Sequence, residues 1–208
     1  MSDDALKVRL IVTDTSPLIT LAAAGSLDYL LYPGVPVYLP DAVLYEATVN
    51  SAALGAESVA AWAEAHPGEV VSITTQTFAD YLTLRELNPE HRERDLGERA
   101  ALHALRHGVR MEPDERAILL TEDDRVLRGS FIISPEDRDR MIVMTTRDFL
   151  VALEAAGRIN SADEVYRIVE DAGRAASRRQ ALQDQHQSAI GAVERVMQRR
   201  PKDTEPKA

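Results

Sequence analysis

Four acidic residues stand where carboxylates can do chemistry: Asp14, Glu46, Glu98 and Asp123. Asp14 follows the apolar run Val8–Val12. Asp123 follows Ala117–Leu120, in Thr121-Glu-Asp-Asp-Arg125. If both runs are parallel strands, both acids lie at the sheet edge where α/β folds bind ligands. Glu46 is the only charge between Asp41 and Asn50. On a helix its neighbours are Ala42, Val43, Val49 and Asn50, so this carboxylate on a mostly apolar face needs a metal or a cation beside it. Glu98 sits in Asp95-Leu-Gly-Glu98, at the start of a patterned stretch. Carboxylates that converge repel one another, and a hard divalent cation such as Mg²⁺ or Mn²⁺ relieves that repulsion. Such an ion activates water and neutralises charge on a phosphodiester.

Each acid also has a purely structural use. Asp14 can cap a helix opening near Pro17. Asp95-x-x-Glu98 has the shape of a capping box with Asp in place of Ser or Thr. Asp123 and Asp124 can be turn residues, and Glu46 can pair with an arginine. Other chemistries have less behind them. No Gly-x-Gly-x-x-Gly follows the first strand and no phosphate-binding Walker loop occurs. Asp14-Thr-Ser16 lacks the second acid of a haloacid-dehalogenase start. His103 and His107 have metal-ligand spacing on a helix but no His-Glu-x-x-His, so a solvated helix end accounts for them. A triad centred on Ser16 lacks a placed histidine. The chain has no cysteine, which excludes disulfides, thiolate nucleophiles and Cys-ligated zinc and fits a reducing compartment.

The elements that position these acids alternate between strand and helix. Val8–Val12 reads as a buried strand. Pro17–Tyr32 reads as a helix broken near Gly25-Ser26, and Val35–Leu39 as a second strand. Asp41 is expected to cap a helix to Asn50. Glu57–Ala65 is a further helix, and Glu69–Thr74 a strand. Thr77 is expected to cap a helix to Leu87, and Asn88–Arg94 is a polar loop. Asp95–His107 is a strongly patterned helix. Ala117–Thr121 and Met141–Met144 are strands, with a short helix at Asp124–Arg128, a short strand at Phe131–Ile133 and a polar loop at Ser134–Arg140 between them. Thr145-x-x-Asp148 opens a helix to Gly157, and Ser161-x-x-Glu164 is a capping box before another. From about Gly173 the composition turns to Arg, Gln and Ala, and a fraying helical tail is expected, with Pro201–Ala208 disordered. The reading is thus α/β: a mostly parallel sheet with helices on both faces, residues 1–172, plus a helical extension, residues 173–208.

Apolar residues make up 45% of the 208, enough for a large core. No apolar run approaches the roughly 18 residues of a membrane span, and no signal peptide is visible, so a cytoplasmic protein is expected. The net charge of −10 disfavours binding nucleic acid by bulk electrostatics. It is compatible with a carboxylate cluster holding divalent metal, because the ion reverses the local field.

Four pieces together resemble a PIN domain: Ile11-Val-Thr-Asp-Thr-Ser-Pro-Leu-Ile19, Val37-Tyr-Leu-Pro-Asp-Ala-Val-Leu-Tyr-Glu46, Leu96-Gly-Glu-Arg-Ala-Ala-Leu102 and Ile118-Leu-Leu-Thr-Glu-Asp-Asp-Arg125. They come in the family's order and span residues 7–157. The wording is similar to the bacterial PIN-like group related to VapC toxins. The resemblance implies an α/β/α sandwich and a Mg²⁺- or Mn²⁺-dependent ribonuclease acting on single-stranded or structured RNA. It implies that Asp14, Glu46, Glu98 and Asp123 form the acidic, metal-holding pocket. Ser16 and Thr121 would support it through hydrogen bonds, with Asp124 as an extra ligand or a group behind the ligands. Many members are toxins silenced by a small antitoxin, and many are homodimers. This chain departs from the short toxins in its insertion near Arg128–Arg140, its tail and its acidity. Its arginine pairs, such as Arg92/Arg94 and Arg138/Arg140, read as solvated faces. The alternative is a regulatory module that keeps the scaffold and binds a partner through the tail.

Overall fold

Strands covered on both faces read as nearly continuous apolar runs, and Leu10-Ile-Val12 and Ala117-Ile-Leu-Leu120 are such runs. In the computed structural model they are neighbours at the middle of a five-stranded sheet. The sheet comprises β1 (Lys7–Val12), β2 (Val37–Pro40), β3 (Val70–Ile73), β4 (Glu115–Leu120) and β5 (Met141–Met144). Its order is β3-β2-β1-β4-β5, and every pairing is parallel. The structure describes residues 7–12, 14–112, 115–127, 140–175, 190–191 and 193–197.

The period-two alternation of a strand sorts side chains to two faces. One face presents Val8, Leu10, Val12, Val37, Leu39, Ile118, Leu120 and Met144 to the main core. Over it lie α1 (Thr15–Ala23), a 3₁₀ turn (Leu27–Leu31), α2 (Asp41–Thr48), α3 (Ala56–Ala65) and, after β5, α7 (Thr146–Ala155) and α8 (Ala162–Asp171). The opposite face presents Ile73, Ala117 and Leu119 to α5 (Leu96–His103) and a π turn (Ala104–Gly108). Gly108 lets that turn close on the sheet: a Cβ there would stand 2.5 Å from Cγ2 of Ile73. The architecture is the expected α/β/α sandwich, with a wholly parallel sheet among the described residues.

Several boundaries differ from the sequence reading. β2 begins at Val37 rather than Val35, beyond Pro36, which has no N–H to give a ladder. Pro40, not Asp41, occupies the cap position of α2. Asp41 instead reaches the next strand end: its Oδ2 accepts from Thr75 N at 2.8 Å and its Oδ1 from Thr75 Oγ1 at 2.8 Å. Thr75, not Thr77, caps α4 (Gln76–Leu87), accepting from Phe78 N at 3.2 Å. The helix expected from Asp95 to His107 divides into α5 and the π turn. The break near Gly25-Ser26 stands as expected, between α1 and the 3₁₀ turn. The strand expected at Phe131–Ile133 and the segment Pro201–Ala208 lie outside the described residues. Within the C-terminal region, 190–191 and 193–197 are helical, and Val193 and Met197 are buried in the main core.

Candidate active site

The chain runs from β1 outward through β2 to β3, then returns to the other side of β1 as β4. The gap between β1 and β4 is therefore the topological switch point, where a crevice opens at the strands' carboxyl ends. The register Val12↔Leu120 brings those ends level. Asp14 follows one strand and Asp123 the other. Asp14 does cap α1, its Oδ1 accepting from Ser16 N at 3.1 Å. Its Oδ2 accepts from Glu122 N at 3.2 Å and so ties the two strand ends together. Capping and a place in the crevice are both realised by this one side chain.

Helices α2 and α5 bring the glutamates. α2 sends Val43 and Ala47 into the main core and packs Ala42 and Tyr45 beside α4 and α5. At about 100° per residue, Glu46 emerges about 40° from Ala42, between the two packed faces. Glu46 is exposed there, and the charge of Asp14 is felt at its carboxyl. Leu96 and Ala100 of α5 pack with Ala42 and Tyr81, which fixes the turn that carries Glu98. Neither Glu46 nor Glu98 forms an ion pair with an arginine among the described residues.

Electrostatics connects the four acids. Burial first, then the charges of Asp14, Asp123 and Asp95, push the Glu98 carboxyl up to about 7. Burial, then Asp14, also raises Glu46, although its carboxylate keeps access to solvent. Asp123 goes the other way, because Arg125 donates to it and holds it below the usual carboxylate range. Arg125 Nη2 donates to Asp123 Oδ2 at 2.8 Å, and its Nε and main-chain N to Oδ1 at 3.3 and 2.6 Å. The same guanidinium grips Asp95, with Nη1 at 2.6 Å from Oδ2 and Nη2 bonded to Oδ1. Asp95 lies in the left-handed region, φ 60°, and makes no side-chain cap to α5. The structural alternative, an Asp95-x-x-Glu98 capping box, is therefore not formed, and the Asp95 carboxylate serves Arg125 instead.

The supporting residues act through specific groups. Thr121, wholly buried, accepts from Asp123 N at 3.1 Å and shapes the turn that presents the acid. The support seen from Ser16 is its main-chain N–H. Asp124 opens the short helix α6 (Asp124–Leu127) and is half-buried. His103 and His107 stand ring to ring at 4.8 Å around the end of α5. Arg125 had no role in the sequence reading, and Asp95 entered it only as a helix-capping residue. The one signal was an arginine two residues after an acid, a spacing with no meaning in a regular helix.

Among the described residues no three acidic or histidine side chains are close enough to form a ready-made metal centre. The donor set nevertheless suits a hard divalent ion. It consists of carboxylate oxygens alone, and burial and neighbouring acids oppose the ionisation of Glu46 and Glu98, a penalty that a cation would relieve. A separate cavity of ≈ 320 Å³ lies between α2, α3, β2 and β3, lined by Leu39, Leu44, Ala60 and Ala63 among others, and none of the four acids lines it.

A five-stranded sheet, wholly parallel among the described residues and covered by helices on both faces, defines an α/β/α sandwich protein. The chain belongs to the PIN-domain family: the family model so described matches residues 10–121, more than half of the sequence. This is a nuclease-type family, whose enzymes generally use divalent metal and act on nucleic acid. No curated protein matches the chain. No solved structure matches it. No helix among the described residues is long and apolar enough to cross a membrane.

Proposed function

We propose that the protein is a metal-dependent endoribonuclease that hydrolyses RNA phosphodiester bonds. The observation that carries this reading is the electrostatic coupling of Asp14 with Glu46, and of Glu98 with Asp14 and Asp123, at the switch point of the sheet. Asp14, Glu46, Glu98 and Asp123 would hold Mg²⁺ or Mn²⁺. When bound, the ion supplies charge neutralisation for the phosphodiester and a more acidic water. The chain's own contribution is placement. Asp14 is aimed by Ser16 N–H and Glu122 N–H, and Asp123 by Thr121 and Arg125. Glu98, whose ionisation burial and the neighbouring acids oppose in the metal-free protein, would be relieved of that penalty as a ligand of the ion. Asp124, at the start of α6, would serve as an extra ligand or as a group behind the ligands.

The expected partner is RNA, single-stranded or structured, met in the cytoplasm. A toxin held in check by a small antitoxin is the biological form that the family resemblance favours, and a homodimer is its usual assembly. The reading is tested by incubating purified protein with Mn²⁺ and a panel of single-stranded RNAs. Wild type is expected to cleave them and Asp14→Asn to lose the activity at least about a hundredfold, the scale of losing a group central to the chemistry. Intact RNA with both proteins, and no difference between them when expressed in cells, would sink the proposal.

A second reading makes the protein a binding module working through its C-terminal region. Val193 and Met197 are buried against the domain, and Arg158 Nη2 donates to Met197 O at 3.0 Å. That face is therefore committed within the chain, which weighs toward the enzyme.

A further inference from the structure

Arg125 is a cation set between two acids. Its guanidinium is shared between two carboxylates from distant parts of the chain, Asp95 before α5 and Asp123 after β4. Side-chain exposure falls from 39% for Arg125 to 23% and 21% for its partners, so the fork bridges the rim of the crevice rather than a solvent-filled gap. Both oxygens of Asp123 face Arg125: Oδ2 takes Nη2, and Oδ1 takes Nε and the main-chain N–H. A planar fork that meets a carboxylate along two N–H bonds is a strong, orienting interaction. Both oxygens of Asp123 are thus engaged by a cation, and a divalent ion binding there would meet that positive charge at contact distance. Asp95 adopts a left-handed backbone, unusual for a residue with a Cβ, and forgoes capping α5 while it holds the same guanidinium.

We propose that Arg125 is a positioning residue that competes with divalent metal for Asp123, so that metal binding requires the guanidinium to withdraw from Asp123 while Asp95 retains it. This rests on the reading of the four acids as the metal-holding set. In the absence of metal the arginine balances part of the carboxylate charge and holds α5, with Glu98, against the end of β4. When metal takes Asp123, the Asp95 pair keeps the cation at the rim.

The competition has a consequence opposite in sign to structural damage. Removing the guanidinium must tighten metal binding. The test is calorimetric titration of MnCl₂ into the full-length metal-free protein, as wild type, Arg125→Met, Arg125→Gln and Asp14→Asn. Folding of each is checked by far-UV circular dichroism. Arg125→Met and Arg125→Gln are expected to bind Mn²⁺ about fivefold more tightly or better, the scale of one partly solvated ion pair. Gln keeps a donor while dropping the charge, so it serves if Met perturbs packing. Asp14→Asn is expected to lose binding. Wild-type binding that Asp14→Asn abolishes, with affinity unchanged or weakened in both folded Arg125 variants, overturns the competition and leaves the site reading standing. Absence of Mn²⁺ binding in every protein overturns both. Binding that appears only in the Arg125 variants supports the competition in its strongest form.

Discussion

Glu98 titrates near neutrality because it is half-buried and because Asp14, Asp123 and Asp95 all oppose its ionisation. Its ordinary value is near 4.5, so the folded protein holds this proton more tightly than the unfolded chain does. Between pH 4.5 and about 7 the native state therefore binds more protons, and stability must fall as pH rises through that window. Glu46 shifts in the same direction and adds to the slope. In metal-free protein the melting temperature is expected to decline from pH 5 to pH 8. Glu98→Gln, which carries no charge at any of these pH values, should flatten the decline and raise stability most at pH 8. A melting temperature that is level across the window in wild type would mean that Glu98 is ionised without penalty. Saturating Mn²⁺ should oppose the decline in wild type, because a ligand that binds only the native state stabilises it. Asp14→Asn should lose that gain.

The helices owe their placement to a few local devices that can be tested singly. α7 opens with a full capping box: Asp148 N donates to Thr145 Oγ1 at 3.1 Å and Thr145 N to Asp148 Oδ2 at 3.1 Å. Both residues are wholly buried. Thr145→Ala should cost about 1–2 kcal/mol by urea denaturation, the usual size of a lost cap; a change below ~0.5 kcal/mol would show that the box is redundant. Gly55, which precedes α3, combines two constraints. Its φ is +82°, and a Cβ would stand 2.9 Å from Ala22 Cβ. Gly55→Ala should cost about 2 kcal/mol or more, from left-handed strain plus overpacking, with an unchanged denaturant slope. A neutral substitution would place α1 and α3 further apart than they stand here. These devices act on activity only through position, since α2, between α1 and α5, carries Glu46.

For the molecule as a whole, the main core extends to the C-terminal region. Val193 and Met197 join the cluster that includes Leu10, Leu21 and Phe149. The chain after Gly173 was expected to fray, yet this part of it is packed. Met197→Ala should destabilise the protein by about 2–4 kcal/mol, as large-to-small changes in cores do. No measurable change would show that 190–197 is not a standing part of the fold. The acidic balance of the chain has a related meaning. If the proposed ribonuclease activity holds, a charge of −10 leaves affinity for RNA to local features, and cleavage should depend on divalent ion far more than on general cation screening.

The sequence by itself determined the alternation of strand and helix, the parallel sheet and the positions of four acids relative to the elements. Those follow from periodicity and from the rule that parallel strands put their carboxyl ends on one edge. Local caps such as Thr145-x-x-Asp148 were equally legible, because both partners lie within one turn. What only the tertiary structure decided are pairings between residues far apart in the chain. Arg9 Nη2 meets Glu115 Oε1 at 3.1 Å, Asp41 joins Thr75, and Arg125 joins Asp95. No periodicity encodes such partners; strand order and helix packing bring them together. The same reason explains why Asp95 read as a helix cap. Its local spacing to Glu98 was right for one, but an arginine from the end of β4 offered two charged hydrogen bonds, which outweigh one bond to a helix N–H.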